Sequence, residues 1–302
     1  MTAIFSVKEC RLCPRQCGVD RTKGETGVCG AGAEVRVAKS MLHKWEEPCI
    51  SGTDPARGSG AVFFTHCSLG CIYCQNRSIS RRNSEKGEIY SAEALADLFL
   101  DLQEQGAWNI NLVSPTHYAP QIREAVKSAK EKGLVLPIVW NTGGYECAEV
   151  IENLGDTVDI FLTDWKYNDP KTAEAYSSAP DYPERIAKAY GAMYRVTGKT
   201  VIDENGMLKK GIILRHLLLP GCRRDSIAVL DKAASIVPPE NVLLSLMRQY
   251  TPEFLPETAP KSLQRRITSF EYDSVTDHAA NLGFAGYTQE STSATSDYTP
   301  EF

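Results

Sequence analysis

The 302-residue chain reads as an α/β protein: a partial (β/α)6 TIM-like barrel carrying a small N-terminal cysteine-rich metal-binding module. Two observations carry this reading. From Ala61 onward, short apolar runs alternate with helical segments, the pattern of a parallel sheet covered on its outer face by right-handed crossovers. Before that point the period is lost, and four cysteines fall within 20 residues. A length of 302 residues accommodates one large domain, since α/β barrels reach ~250 residues as single units, plus a small module.

The module is assigned to residues 1–50, the barrel to 51–290 and a polar tail to 291–302. In the module, Cys10, Cys13, Cys17 and Cys29 have the spacing C-x2-C-x3-C-x11-C in a glycine-rich stretch too short to bury a core, so a bound metal is expected to supply the deficit. Structural zinc and an auxiliary iron-sulfur cluster both suit four thiolates. The barrel units begin with Ala61–Phe64 followed by a helix from Ser91 to Gln105, with Ser91 as N-cap and Gly106 as the stop. Next come Asn109–Val113 with a helix over Ala119–Lys132, and Pro137–Trp140 with a helix over Tyr145–Leu154. Ile160–Phe161–Leu162 leads into helix through Ala189, Ile212–Leu217 into a helix over Asp225–Ile236, and Val242–Met247 toward a last helix near Lys261–Leu282. Six units fall short of the eight that close a full barrel, so the sheet should stay open.

The chemistry concentrates at Cys67, Cys71 and Cys74, spaced C-x3-C-x2-C directly after the first strand. A closed thiolate cage uses four protein ligands, so three leave a coordination position open for something that reacts. The spacing, Tyr73 before the third cysteine and the preceding strand resemble the radical S-adenosylmethionine (SAM) superfamily. That resemblance implies a [4Fe-4S] cluster with SAM chelating its fourth iron. One electron then cleaves the sulfonium to methionine and a 5′-deoxyadenosyl radical, which abstracts hydrogen from a substrate. It also implies a cofactor environment that includes Tyr73 and Asn76.

Several strand ends carry polar groups, where sites of such folds lie. Ser114 and Thr116 stand where the family has a Gly-Gly-Glu segment, and offer hydroxyls or helix caps; Asn141 and Thr142 end the third strand. Asp164 and Lys166 resemble the Asp-x-Lys element of pyruvate formate-lyase activating enzymes, which implies contact with SAM and substrate and a monovalent cation held by the Asp. Two apart on a strand, they point to one side. Arg215 and His216 must alternate, and Arg215 is assigned to the SAM side by the same resemblance. Leu246 and Met247 are candidates to pack on adenine.

Along its length the chain is most similar to PflX-type proteins, through Cys-Pro-Arg-x-x-Cys-Gly-Val near Cys13, Glu-Glu-Pro-Cys-Ile-Ser-Gly from Glu46, Cys-Gln-Asn at Cys74, Asn-Ile-Asn-Leu-Val-Ser-Pro-Thr-His from Asn109 and Gly-Tyr-Glu from Gly144. This implies hydrogen abstraction from a protein or peptide, including activation of a glycyl radical enzyme, with a flavodoxin- or ferredoxin-type electron donor. Competing readings are radical modification of a small metabolite or another macromolecule, and a non-catalytic iron-sulfur carrier. A net charge of −5 with mixed signs gives no basic excess for nucleic acid. The absence of a long apolar run or signal-peptide core leads to an expectation of a soluble, cytoplasmic protein without a membrane partner. Cys49, Cys147 and Cys222 are read as passive thiols. Tyr250–Phe254 recurs as Tyr298–Phe302, which suggests a tail that docks where the internal copy sits.

Overall fold

The computed structural model describes residues 3–289, so the second copy of the repeated pentapeptide lies outside the described residues. Strand β1 (Val35–His43) is followed by a one-turn helix α1 (Pro48–Ser51) and β2 (Gly58–Phe64). Then come α2 (Arg77–Ser80), β3 (Glu88–Tyr90), α3 (Ala92–Glu104), β4 (Ala107–Val113), α4 (Ala119–Glu131) and β5 (Ile138–Thr142). The chain continues through α5 (Ala148–Glu152), β6 (Ile160–Asp164), α6 (Pro170–Ser177), α7 (Tyr182–Thr197), β7 (Val201–Ile202) and β8 (Leu208–Leu217). It closes with α8 (Arg223–Ile236), β9 (Leu243–Met247), α9 (Ser269–Asn281) and β10 (Ala285–Thr288).

The strands form one sheet in the order β10-β9-β8-β6-β5-β4-β2-β1-β3, with β7 appended to β8. All pairings from β2 through β10 along this path are parallel, and β1 and β3 add antiparallel pairs at one end. The expected strand-helix alternation from Ala61 is therefore present, in an α/β fold with a mostly parallel central sheet.

Alternation sorts each strand's side chains onto two faces. Ile110, Leu112, Trp140, Phe161, Ile212, Leu214 and Leu244 turn toward the helices and join Phe99, Ile122, Val126, Val150, Ile186 and Val229 in the main core. The opposite parity supplies a second core of Val139, Ile160, Leu162 and Ile213, into which α1 inserts Cys49 and Ile50. Asn109 holds that insertion: its Nδ2 donates to Ile50 O at 2.8 Å and its Oδ1 accepts from Ser59 Oγ at 2.7 Å, both in the buried interior. Cys49 is thus a packing thiol, whose burial pushes its pKa up to about 11.

Three features depart from the sequence reading. Val35–His43, inside the stretch without a clear period, is a nine-residue sheet strand; its middle residues are only half-buried, so no clean alternation shows. A further parallel strand, Ala285–Thr288, follows the sixth unit, and its largely exposed, glycine-containing sequence hides it. The last helix starts at Ser269, not near Lys261, where there is only a 3-10 turn. Thr268 accepts from the Glu271 amide and Glu271 returns a bond to the Thr268 amide, a capping box that sets the start.

The Glu271 carboxylate also accepts from Arg265 at 2.7 Å and from the Gly221 amide at 2.8 Å. The Arg265 bonds, against the opposing effect of burial, hold its pKa well below the ordinary glutamate value. A lowered folded pKa means the stabilisation is present above the unfolded value of ~4.3 and is lost as pH falls below it. Thermal denaturation should therefore show Glu271→Gln less stable than wild type at neutral pH, with the gap narrowing below about pH 4; Thr268→Ala should cost about 1 kcal/mol.

Candidate active site

The parity that builds the inner core also determines what lies above it. Moving two residues at a time toward the strand ends, Val139 leads to Asn141, Ile160 and Leu162 to Asp164, Ile213 to Arg215, and Leu243 to Ser245 and Met247. Phe63 and Val113 lie near the ends of their strands, and together with Asn141, Asp164, Arg215, Ser245 and Met247 they line a cavity of about 380 Å³. The second loop of the cavity wall is Cys71, Tyr73, Cys74, Gln75 and Asn76, and a third is His43 to Pro48.

Arg215 is the electrostatic centre. Its Nε donates to Asp164 Oδ1 at 3.0 Å, Nη1 to Glu46 Oε2 at 3.1 Å and Nη2 to Asn141 Oδ1 at 2.7 Å. Lys166 Nζ meets the other Asp164 oxygen at 2.6 Å, and Glu46 Oε1 accepts from Asn111 Nδ2 at 3.2 Å. Asp164, Lys166 and Arg215 are 15–17% exposed, so these charges are paired away from bulk water. Burial alone would push the Asp164 carboxyl up, but the Lys166 and Arg215 charges outweigh it and hold it below its ordinary value. Burial likewise opposes the charge on Lys166 and Arg215, and the Asp164 carboxylate reverses it, raising both. Glu47 lies deeper; burial pushes its carboxyl up, against the pull of Arg215.

The three-cysteine loop forms part of the cavity wall. Cys71 and Cys74 line the large cavity, whereas Cys67 faces a separate space of about 20 Å³ with Ser114, Thr116, Thr142 and Tyr145. The thiols are close enough for their charges to interact, and burial raises those of Cys67 and Cys74, the latter to about 11. Ser177 Oγ donates to Cys71 Sγ at 2.9 Å, the Leu69 amide lies 3.5 Å from Cys67 Sγ, and Ser80 Oγ lies 3.5 Å from Cys74 Sγ. The Lys166 ammonium adds positive potential at Cys71 and Cys74. Beside Cys67, the buried Glu146 carboxylate accepts from Thr116 Oγ1 at 2.5 Å and from Thr142 Oγ1. Burial, the leading cause, pushes its pKa up to about 7.

The N-terminal cysteines gather into one module against this loop. Cys13 interacts electrostatically with Cys10 and Cys29, and Cys29 with Cys10 and Cys17. The Val28 and Ala31 amides approach Cys17 Sγ and Cys29 Sγ at 3.4 and 3.5 Å. Arg21, 2% exposed, donates to His117 O at 2.5 Å and reaches Cys10 Sγ at 3.9 Å. Among the described residues, neither set of cysteines converges on a single-ion position. Thiolates that each take a different iron of a cluster need not do so.

The sequence candidates thus divide between two spaces. Tyr73, Asn76, Asn141, Asp164, Lys166, Arg215 and Met247 share the large cavity, while Ser114, Thr116 and Thr142 do not reach it and lie beside Cys67. The hydroxyls of Thr116 and Thr142 serve Glu146. Leu246 turns into the helix-side core, and His216 bonds Trp165 O at 2.6 Å with its pKa pushed down to about 4 by burial. Both Asp164 oxygens are taken by cationic side chains, so a monovalent cation there would have to displace one of them. Sequence reasoning missed Glu46, Glu47 and Glu146. The signal for the first two was an acidic pair before Pro48, carried by a linker whose spatial position the sequence does not disclose.

Residues 61–207 match the Radical SAM superfamily. An uncharacterized protein of Methanocaldococcus jannaschii is 26% identical over 285 residues, covering 90% of this chain and 74% of its own length. A radical SAM methyltransferase from Sphaerobacter thermophilus has a similar fold, with TM-score 0.52 and 12% identity over 76% of this chain and 66% of that one. Streptococcus suis SuiB bound to S-adenosylmethionine aligns at TM-score 0.48 and 13% identity, over 75% of this chain and 45% of that one. The chain therefore spans just under two thirds of the methyltransferase and less than half of SuiB. Residues 61–207 thus resemble a radical SAM superfamily domain, and domains of that superfamily use an iron-sulfur cluster together with SAM. No helix among the described residues is long and apolar enough to cross a membrane.

The donor set fits that cofactor pair. Three neighbouring thiols receive O–H and N–H donors, as cluster-bound sulfurs do, and Cys71 and Cys74 open directly onto a cavity with both signs of charge. Because Asp164 neutralises two buried cations, Asp164→Asn should destabilise the protein by about 3 kcal/mol in urea denaturation, and adding Lys166→Met should recover part of that loss.

Proposed function

We propose that the protein is a PflX-type radical SAM enzyme that abstracts hydrogen from a protein or peptide segment, with activation of a glycyl radical enzyme as the model reaction. The observation that carries this reading is the shared cavity of Cys71, Cys74, Asp164, Lys166 and Arg215. A [4Fe-4S] cluster and SAM bound there supply one-electron cleavage of the sulfonium to methionine and a 5′-deoxyadenosyl radical, the electron coming from a flavodoxin- or ferredoxin-type donor.

The residues of the chain bind and orient. Cys67, Cys71 and Cys74 would hold the metal as thiolates. Asp164 and Glu46 face an amino group, and Lys166 and Arg215 a carboxylate, so the site matches a zwitterionic amino-acid moiety without net charge transfer into the interior. Met247, Leu217 and Phe63 provide apolar wall for a base or a methylene chain. Because Lys166 and Arg215 already hold both Asp164 oxygens, the incoming amino and carboxylate groups would exchange with these pairs.

The size of the cavity supports a bulky substrate. At about 380 Å³ it lies at the low end of the ~300–1,000 Å³ range for small-molecule sites, so SAM leaves little room for a second reactant. A segment protruding from a macromolecule can reach the mouth, where Trp45 is 63% exposed.

Anaerobically reconstituted protein given SAM and a strong reductant should release 5′-deoxyadenosine, and Cys71→Ala should abolish release while leaving the circular dichroism unchanged. Release that persists in Cys71→Ala overturns the assignment. Failure of the wild type to bind SAM with its cluster in place would favour a non-catalytic carrier.

A further inference from the structure

A chain of buried hydroxyls ends on the sulfur of Cys71. Ser177, the last residue of α6 and 2% exposed, places Oγ 2.9 Å from Cys71 Sγ. Tyr167 OH lies 2.8 Å from Ser177 Oγ, and Tyr73 OH lies 2.6 Å from Tyr167 OH. Each hydroxyl has one proton to give. A metal-bound Cys71 is a thiolate and has none. The direction is therefore forced: Tyr73 donates to Tyr167, Tyr167 to Ser177 and Ser177 to the sulfur. Successive donors polarise one another, and the last bond, to an anion, gains most.

A single guanidinium positions both ends of that last bond. Arg15, from the N-terminal module, donates to Ser177 O at 3.1 Å, to Ser178 O at 2.6 Å and to Ser68 O at 3.0 Å, and lies 5.1 Å from the centre of the Tyr145 ring. Ser68 sits between Cys67 and Cys71, so Arg15 fixes the cysteine loop relative to the C-terminus of α6. Ser178, with φ at +49°, is the left-handed cap that turns those two carbonyls toward it.

Resting on the radical SAM reading above, we propose that the Tyr73–Tyr167–Ser177 chain, positioned by Arg15, raises the reduction potential of the cluster held by Cys67, Cys71 and Cys74. Hydrogen bonds to cluster sulfurs are one of the protein's means of setting that potential. Donation to the thiolate withdraws electron density and stabilises the reduced, more negative state. Ser177, Tyr167 and Arg15 are positioning residues, acting through Cys71.

The test is a redox titration of the full chain, reconstituted anaerobically with iron and sulfide and followed by electron paramagnetic resonance. Ser177→Ala should shift the midpoint to a more negative potential with iron content unchanged, and Ser177→Thr should restore it. Tyr167→Phe, which removes the donor to Ser177 and the acceptor of Tyr73, should shift it less and in the same direction; it carries the test if Ser177→Ala fails to take up iron. Arg15→Met should also move it negative. An unchanged midpoint in iron-replete Ser177→Ala or Tyr167→Phe overturns the relay, and an unchanged midpoint in Arg15→Met removes Arg15 from it. A wild type that takes up no cluster dependent on the three cysteines overturns the radical SAM reading itself, and the relay with it.

Discussion

A guanidinium buried on the inner face of a parallel sheet needs partners on every side, and Arg215 draws them from three separate parts of the chain. Its bonds to Asp164, Asn141 and Glu46 connect β8 to β6, to β5 and to the linker before α1. Five N–H donors in a fixed plane can meet three acceptors at once, which a flexible ammonium could not do with the same geometry. The linker is held against the strand ends by this arrangement, and α1 then follows into the inner core.

Much of the fold was legible because the apolar runs were short and separated by clear helical stretches. Asn109–Val113 and Ile212–Leu217 read as strands from composition alone. Asp164 ends β6, and Lys166, read as a strand residue, lies two positions beyond it yet still meets the Asp164 carboxylate at 2.6 Å. What stayed hidden depended on long-range contact. Glu46 gains its meaning from Arg215, 169 positions away. Ser114, Thr116 and Thr142 lie at strand ends as expected, yet β5 ends where Gly144 turns back with φ at +80°, and this carries Glu146 beneath the hydroxyls of Thr116 and Thr142. A buried carboxyl then captures donors that a strand-end argument had assigned to a ligand.

The N-terminal module is similarly more than an appendage. Arg15 and Arg21 both donate to carbonyls of the main domain, Ser68 and His117 among them, and the next segment, β1, is a member of the central sheet. The cysteine-rich stretch and the cysteine loop are thus joined directly, through Arg15 and Ser68. Gly30 illustrates how tight the fit is: a side-chain carbon there would stand 2.0 Å from Arg82 O, on the segment that follows the triplet.

The insertion of Cys49 and Ile50 fills the inner face of the sheet behind the strand ends that carry Asn141, Asp164 and Arg215. Because Val139, Ile160, Leu162 and Ile213 pack against it, a change of side-chain volume at Ile50 would be passed along those strands to the charged groups at their ends.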